Sequence, residues 1–180
     1  MGACFSSEQK YHVRKVVYPV TKEDVKEAQD AWAAAIVEIS RSHADKEDYV
    51  GLAVAKAEQL YGYGYGQVLF KPTKAADAPF RPLVMDAYSY FVGCNAPGVK
   101  NGYKEDKGFA INGGDGWSKV KFDNHDIACY GEVAIAMGTY YFTSAKDKSV
   151  AKVEYTFGYK RCGDGKVRIC LHHSSVPYKA

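Results

Sequence analysis

A chain of 180 residues has the size of one ordinary domain, and such a domain buries a core without disulfide or metal staples. Apolar residues at 47% and charged residues at 25% exclude a disordered chain, and a net charge of only +3 on scattered lysines excludes a nucleic-acid-binding face. Five cysteines (Cys4, Cys94, Cys129, Cys162 and Cys170) lack CxxC spacing, which argues against a disulfide framework or zinc ribbon and fits a reducing compartment, with cytoplasm and plastid the candidate locations.

The N-terminus reads as a polar arm over 1–18, ending in a short extended segment from Val13 to Tyr18, and residues 19–180 read as a single domain. Met1-Gly2-Ala3-Cys4-Phe5-Ser6 fits the N-myristoylation pattern, and a membrane is a partner only through that lipid. No apolar run reaches about 18 residues, so no spanning helix is expected, nor a secretory or transit segment. Thr21 followed by Glu23 and Asp24 is a helix start, and Val25, Ala28, Trp32, Ala35, Ile36 and Ile39 carry helical spacing to about residue 42. A second helix is expected from about Lys46 to Leu60, ended by the alternating glycines of Tyr61–Gly66, which form a turn and not a phosphate loop. Gln67–Lys71 is a short strand broken at Pro72-Thr73-Lys74. Pro82 opens a third helix that places Leu83, Ala87, Tyr90 and Phe91 on one face and ends at Gly93.

Beyond about residue 106 the pattern becomes β. Strands are expected at Trp117–Phe122, Glu132–Thr143, Val150–Lys160 and Lys166–Ser174, with Cys162-Gly163-Asp164-Gly165 as a hairpin turn. Helices first and long antiparallel strands after make an α+β fold, with the N-terminal helices packed on one face of a curved antiparallel sheet.

The last strand ends in LHHSSVPY. Three readings are open for its two histidines and two serines: a metal site, a metal-free acid/base site, or a polar strand end. Zinc needs three or four ligands, but neighbours on a strand face opposite sides, and His12, His43 and His125 show no ligand spacing with His172 or His173. No metal and no cofactor is therefore expected. Residues two apart do share a face, so His172 with Ser174, or His173 with Ser175, places an imidazole beside a hydroxyl. Val167, Ile169 and Leu171 fall with His173 and Ser175, while Cys170 falls with His172 and Ser174. A bulge near the strand end would change that parity, and the pattern leaves both pairs open.

Five blocks, VLFKPTKAA (68–76), FRP…AYSYFVG (80–93), DKGFAIN (106–112), AMGTYYFT (136–143) and VEYTFGY…LHHSSVPY (153–178), give the chain a resemblance to the iota-class carbonic anhydrases. Only the loops around 96–100 and 113–116 depart from it, which touches the rim of a pocket and not its floor. The resemblance implies an NTF2-like cone, akin to the hub domain of calcium/calmodulin-dependent kinases, with a pocket between sheet and helices. It implies an algal or bacterial enzyme hydrating carbon dioxide reversibly to bicarbonate, for several members without metal. As partners it implies carbon dioxide and bicarbonate, and a homodimer or a tandem repeat of the same domain.

The chemistry needs a greasy wall for carbon dioxide, for which Phe70, Leu83, Tyr90 and Phe91 are candidates, and donors for bicarbonate, which Thr73, Tyr90, Ser174 and Ser175 can supply. Without a metal, a positioned base must take the proton of the attacking water, and a histidine titrating near 6.5 is the natural choice. The resemblance thus assigns His172 or His173 as base or shuttle, Ser174 or Ser175 with Thr73 and Tyr90 as anion binders, Phe91 to the substrate wall, and Tyr88 as stand-in for Tyr90. Arg81 reads as a surface arginine, and Tyr140, Tyr141 and Phe142 as packing. Two rivals stand beside the enzyme: a non-catalytic NTF2-like oligomerisation or ligand-binding module, and an isomerase or hydrolase built on His125 and Asp126, both of which look like turn residues.

Overall fold

The computed structural model describes residues 18–179; the lipidation pattern, most of the expected arm and His12 lie outside them. Helix α1, Lys22–Ala44, starts where the capping residues predict. The Thr21 hydroxyl accepts the Asp24 amide at 3.1 Å, and the Asp24 carboxylate accepts the Thr21 amide at 2.8 Å. One face of α1 buries Val25, Gln29, Trp32, Ile36 and Ile39. Helix α2, Tyr49–Leu60, begins after Asp48, later than expected, because that side chain caps the Gly51 amide. Helix α3, Val84–Val92, starts where the Asp86 carboxylate takes the Leu83 amide at 2.9 Å. Leu83 therefore lies at the helix entrance, 64% exposed, and not on the buried face with Ala87, Tyr90 and Phe91.

Five strands form one sheet in the order β1-β5-β4-β3-β2: Leu69–Lys71, Trp117–Tyr130, Val133–Ser144, Val150–Arg161 and Val167–Ser175 for β1 to β5. All pairings are antiparallel except β1 with β5, which run parallel with Phe70 beside His172. β2 runs eight residues beyond its expected end. His125 and Asp126 thus lie inside a strand, at a register shift, and not in a turn; both are exposed, and Asp126 is occupied by Lys22 at 3.5 Å. No catalytic dyad forms there.

The inner face of the sheet is aromatic. Trp32 packs edge-on to Phe122, Phe142 and Phe157 with ring centroids 5.8 to 6.2 Å apart. Each such side chain stabilises the fold by about 1.5–3 kcal/mol when fully buried.

The strand end that carries the histidines contains the anticipated irregularity. Ile169 pairs with Tyr159 and Leu171 with Gly158, so Cys170 is an extra residue. Gly158 makes room for it: a Cβ there would stand 2.9 Å from the Leu171 Cβ. The bulge resets the parity. Ile169, His172 and Ser174 are buried, while Leu171, His173 and Ser175 turn to the outer face.

Candidate active site

His172 is 2% exposed and boxed by rings. Phe157 lies 4.0 Å from its ring centroid, Phe70 4.8 Å and Trp32 5.7 Å. Both ring nitrogens face tyrosine hydroxyls. The Tyr61 oxygen is 2.8 Å from Nδ1, and the Tyr140 oxygen is 3.5 Å from Nε2. The Trp32 indole N–H in turn donates to the Tyr61 oxygen at 2.9 Å. Burial holds the His172 pKa well below the usual 6.5, and the neighbouring His173 adds to the shift. The imidazole is therefore neutral at pH 7.

In front of it lie four hydroxyls. Ser174 Oγ and Thr73 Oγ1 are 2.8 Å apart, and both hydroxyls lie near enough to Tyr140 to act on its ionisation. Thr73 also lies beside the Tyr90 hydroxyl and acts on its ionisation. The Lys74 amide donates to the Tyr90 oxygen at 3.4 Å. Burial raises both tyrosine pKa values well above 10, so the hydroxyls stay protonated. Their wall is apolar: Phe91 stacks on Phe70 at 5.6 Å, and Tyr90 stacks on Phe109 at 5.2 Å.

Local sequence explains each placement. Pro72 stops β1, so Thr73 turns across the end of β5 instead of continuing the ladder. Tyr61 ends α2, and the next amide, Gly62, binds the Ile169 carbonyl at 2.9 Å, which fixes Tyr61 beside β5. A cavity of about 220 Å³ opens on Tyr90, lined also by Lys74, Phe109 and Asn112. At about 30 Å³ per water it has room for a small anion with several waters.

The rim is held by a buried ion pair. Arg81, expected at the surface, is fully buried and binds Asp106 through two nitrogens at 2.9 and 3.0 Å. Its guanidinium also reaches Glu105 at 3.0 Å and lies over the Tyr103 ring. The Glu105 carboxylate accepts the amides of Ala76, Asp77 and Ala78, so this network ties the loop after Thr73 to the loop before Phe109.

Of the expected site residues, Thr73, Tyr90, His172 and Ser174 come together, with Phe91 in their wall. His173 and Ser175 do not; with Thr139 and Thr156 they line a groove of about 440 Å³ on the opposite face, which Ser174 and Tyr155 also border. Tyr88 packs against the core outside the cluster, and exposed Leu83 is no part of the wall. Tyr61 and Tyr140, read from sequence as turn and packing residues, belong to the cluster. Among the described residues no group of three or more His, Cys, Asp or Glu side chains is placed to hold a metal ion.

The helices on a curved, mostly antiparallel sheet define an NTF2-like cone. A calcium/calmodulin-dependent protein kinase type II association domain, so described, from Thiobacillus denitrificans shares this fold at 14% identity and a TM-score of 0.54, covering 91% of this chain and all of its own. Above the fold level the likeness is closer. The family model for metal-independent carbonic anhydrase matches residues 23–176, and the chain belongs to that family. A metal-independent carbonic anhydrase of Nostoc sp. is 38% identical over 167 residues, which cover 89% of this chain and 75% of the relative. The crystal structure of a cyanobacterial iota-carbonic anhydrase complexed with bicarbonate superposes with a TM-score of 0.82 at 35% identity, covering 93% of this chain and 99% of that one.

Proposed function

We propose that this iota-class carbonic anhydrase hydrates carbon dioxide at the hydroxyl cluster in front of His172. The observation that carries the reading is the convergence of Thr73, Ser174, Tyr90 and Tyr140 hydroxyls, led by the 2.8 Å Thr73–Ser174 contact, against an aromatic wall. Carbon dioxide meets Phe70 and Phe91, which bury it without competing for its oxygens. Attacking water is oriented by the Thr73 and Ser174 oxygens. As carbon rehybridises, negative charge gathers on the product oxygens, and the hydroxyl hydrogens of Tyr90, Ser174 and Thr73 meet it. These donors are already fixed by folding, so they stabilise the charge without reorganising. Bicarbonate, the ligand named for the cyanobacterial structure, is the anion assigned here. The attacking water gives up its proton to the other waters that the Tyr90 cavity has room for and through them to buffer, so that water and carbon dioxide yield bicarbonate and one released proton, while His172, whose two nitrogens face tyrosine hydroxyls, holds Tyr140 in place.

Stopped-flow hydration with a pH indicator, on chelator-stripped protein, tests this. Activity survives stripping. Ser174→Ala and Tyr90→Phe each lower kcat by about 10²-fold or more, the usual effect of removing one donor from a developing anion. His173→Ala and Ser175→Ala, on the other face, stay close to the parent. Activity that disappears on stripping and returns with zinc or manganese, or a loss confined to Ser175→Ala, overturns the reading.

The same reading extends to assembly and source. A homodimer through the outer sheet face is proposed, since Ile135 and Met137 are exposed there. An algal source and a cytoplasmic or plastid location are proposals from the resemblance alone; sedimentation tests the dimer and tagged-protein imaging the location.

A further inference from the structure

Building on the site proposed above, we infer that Trp32 and Tyr61 lock His172 into the tautomer that carries its proton on Nε2, so that the ring meets the hydroxyl cluster as a hydrogen-bond donor. The argument is an accounting of hydrogens. The Trp32 indole nitrogen can only donate, and it donates to the Tyr61 oxygen at 2.9 Å. Tyr61 is buried, and its own hydrogen needs an acceptor. Among the described residues the acceptor in reach is His172 Nδ1 at 2.8 Å. Nδ1 therefore holds no hydrogen, and a neutral imidazole must carry its one hydrogen on Nε2. The opposite tautomer makes Tyr61 accept from both Trp32 and His172 and strands its hydroxyl hydrogen in an aromatic box.

The lock sets a direction. Trp32 donates to Tyr61, Tyr61 to Nδ1, and Nε2–H points at the Tyr140 oxygen 3.5 Å away. With its oxygen accepting from Nε2–H, Tyr140 has its own hydrogen free to turn toward the Thr73–Ser174 hydroxyl pair. A row of hydroxyls fed from one end by donors presents hydrogens at the other, which suits a bound anion. A proton from the pocket reaches His172 only if this order reverses. Trp32 and Tyr61 are positioning residues: they touch no substrate and act through His172. The groups around the ring are Trp32 from α1, Tyr61 after α2, Phe70 from β1, Tyr140 from β3, Phe157 from β4, and His173 and Ser174 on its own strand.

Long-range proton–nitrogen NMR on protein with labelled histidine reads the tautomer directly. For the parent protein near pH 7, the expected result is one buried histidine with a protonated Nε2 and an acceptor-type Nδ1. A protonated Nδ1 overturns the inference whatever the activity, and no folding variant is needed for that answer. In Tyr61→Phe the Nδ1 resonance moves as its donor is lost. Hydration kcat falls by about 10-fold, less than the ~10²-fold of removing a donor that meets the anion directly, with KM little changed. An unchanged resonance and unchanged kcat in a folded Tyr61→Phe overturn the positioning role. The proposed site fails separately, by Ser174→Ala keeping full activity.

Discussion

His172 occupies a position where a charged ring would lose all its hydration, and this links stability to pH. Its folded pKa lies well below the unfolded value of 6.5. Between those two values the unfolded chain binds the extra proton, so stability rises with pH there. The contribution is full above about 6.5 and is lost as pH falls, at up to about 1.4 kcal/mol per unit. Carboxylates held low by hydrogen bonds, such as Glu105 and Asp164, add to the slope only below their ordinary values of 4.5 and 3.8. Urea unfolding between about pH 5 and 7.5 is expected to show this slope and to flatten in His172→Gln; an equal slope in both proteins would mean that His172 is not the group responsible. The expected site residues at this scale were legible in part. His172, Ser174, Thr73 and Tyr90 were named from chemistry and resemblance together. Tyr61 and Tyr140 were not, because a hydroxyl among fifteen tyrosines carries no mark of its partner. The one local sign for Tyr61 was its place at a helix end, just before the glycines.

Elements decide which of two chemically equal pairs faces the pocket. Strict alternation along β5 leaves His172/Ser174 and His173/Ser175 equivalent, and it groups Ile169 with His173. The bulge at Cys170 puts Ile169 and His172 on the same side, and its cause lies on another strand, at Gly158, out of reach of any local pattern. Helices were legible because their caps and periodicity are local. The length of β2 was not, since Asp123-Asn124-His125-Asp126 is polar on both faces and reads as a turn until β3 pairs with it. Arg81 was missed for a related reason: its partners, Asp106 and Glu105, come from a distant loop. Arg81→Met would leave the Asp106 carboxylate buried without its cation. A loss of about 3–5 kcal/mol is expected in chemical denaturation. Arg81→Met with Asp106→Leu should recover much of it, because the cost lies in the orphaned charge. Full recovery of stability with a raised KM would identify the pair as the clamp that holds Thr73 over the pocket; recovery of both would make it only a packing element.

At the scale of the whole molecule, the proposed site draws its residues from elements far apart in the sequence. Thr73 follows β1, Tyr90 is on α3, Tyr140 on β3, and His172 and Ser174 on β5. All five converge on the inner face of the sheet. The outer face carries Ile135 at 38% and Met137 at 55% exposure, beside Thr139, Thr156 and His173. A stable homodimer covers about 800 Å² on each partner, and a broad sheet face of this kind supplies such an area. In the proposed dimer, assembly and chemistry would sit on opposite sides of the same sheet, and they should separate. Met137→Lys would place a charge at the centre of the proposed interface. Sedimentation equilibrium is expected to show the parent as a dimer and this variant shifted toward monomer. Hydration activity per chain should stay close to the parent in the variant, since Met137 lies on the face of the sheet away from the cluster. A variant that becomes monomeric and loses activity in proportion would show instead that the dimer stiffens the sheet under His172 and Ser174, so that the outer face works on the chemistry through β4 and β5.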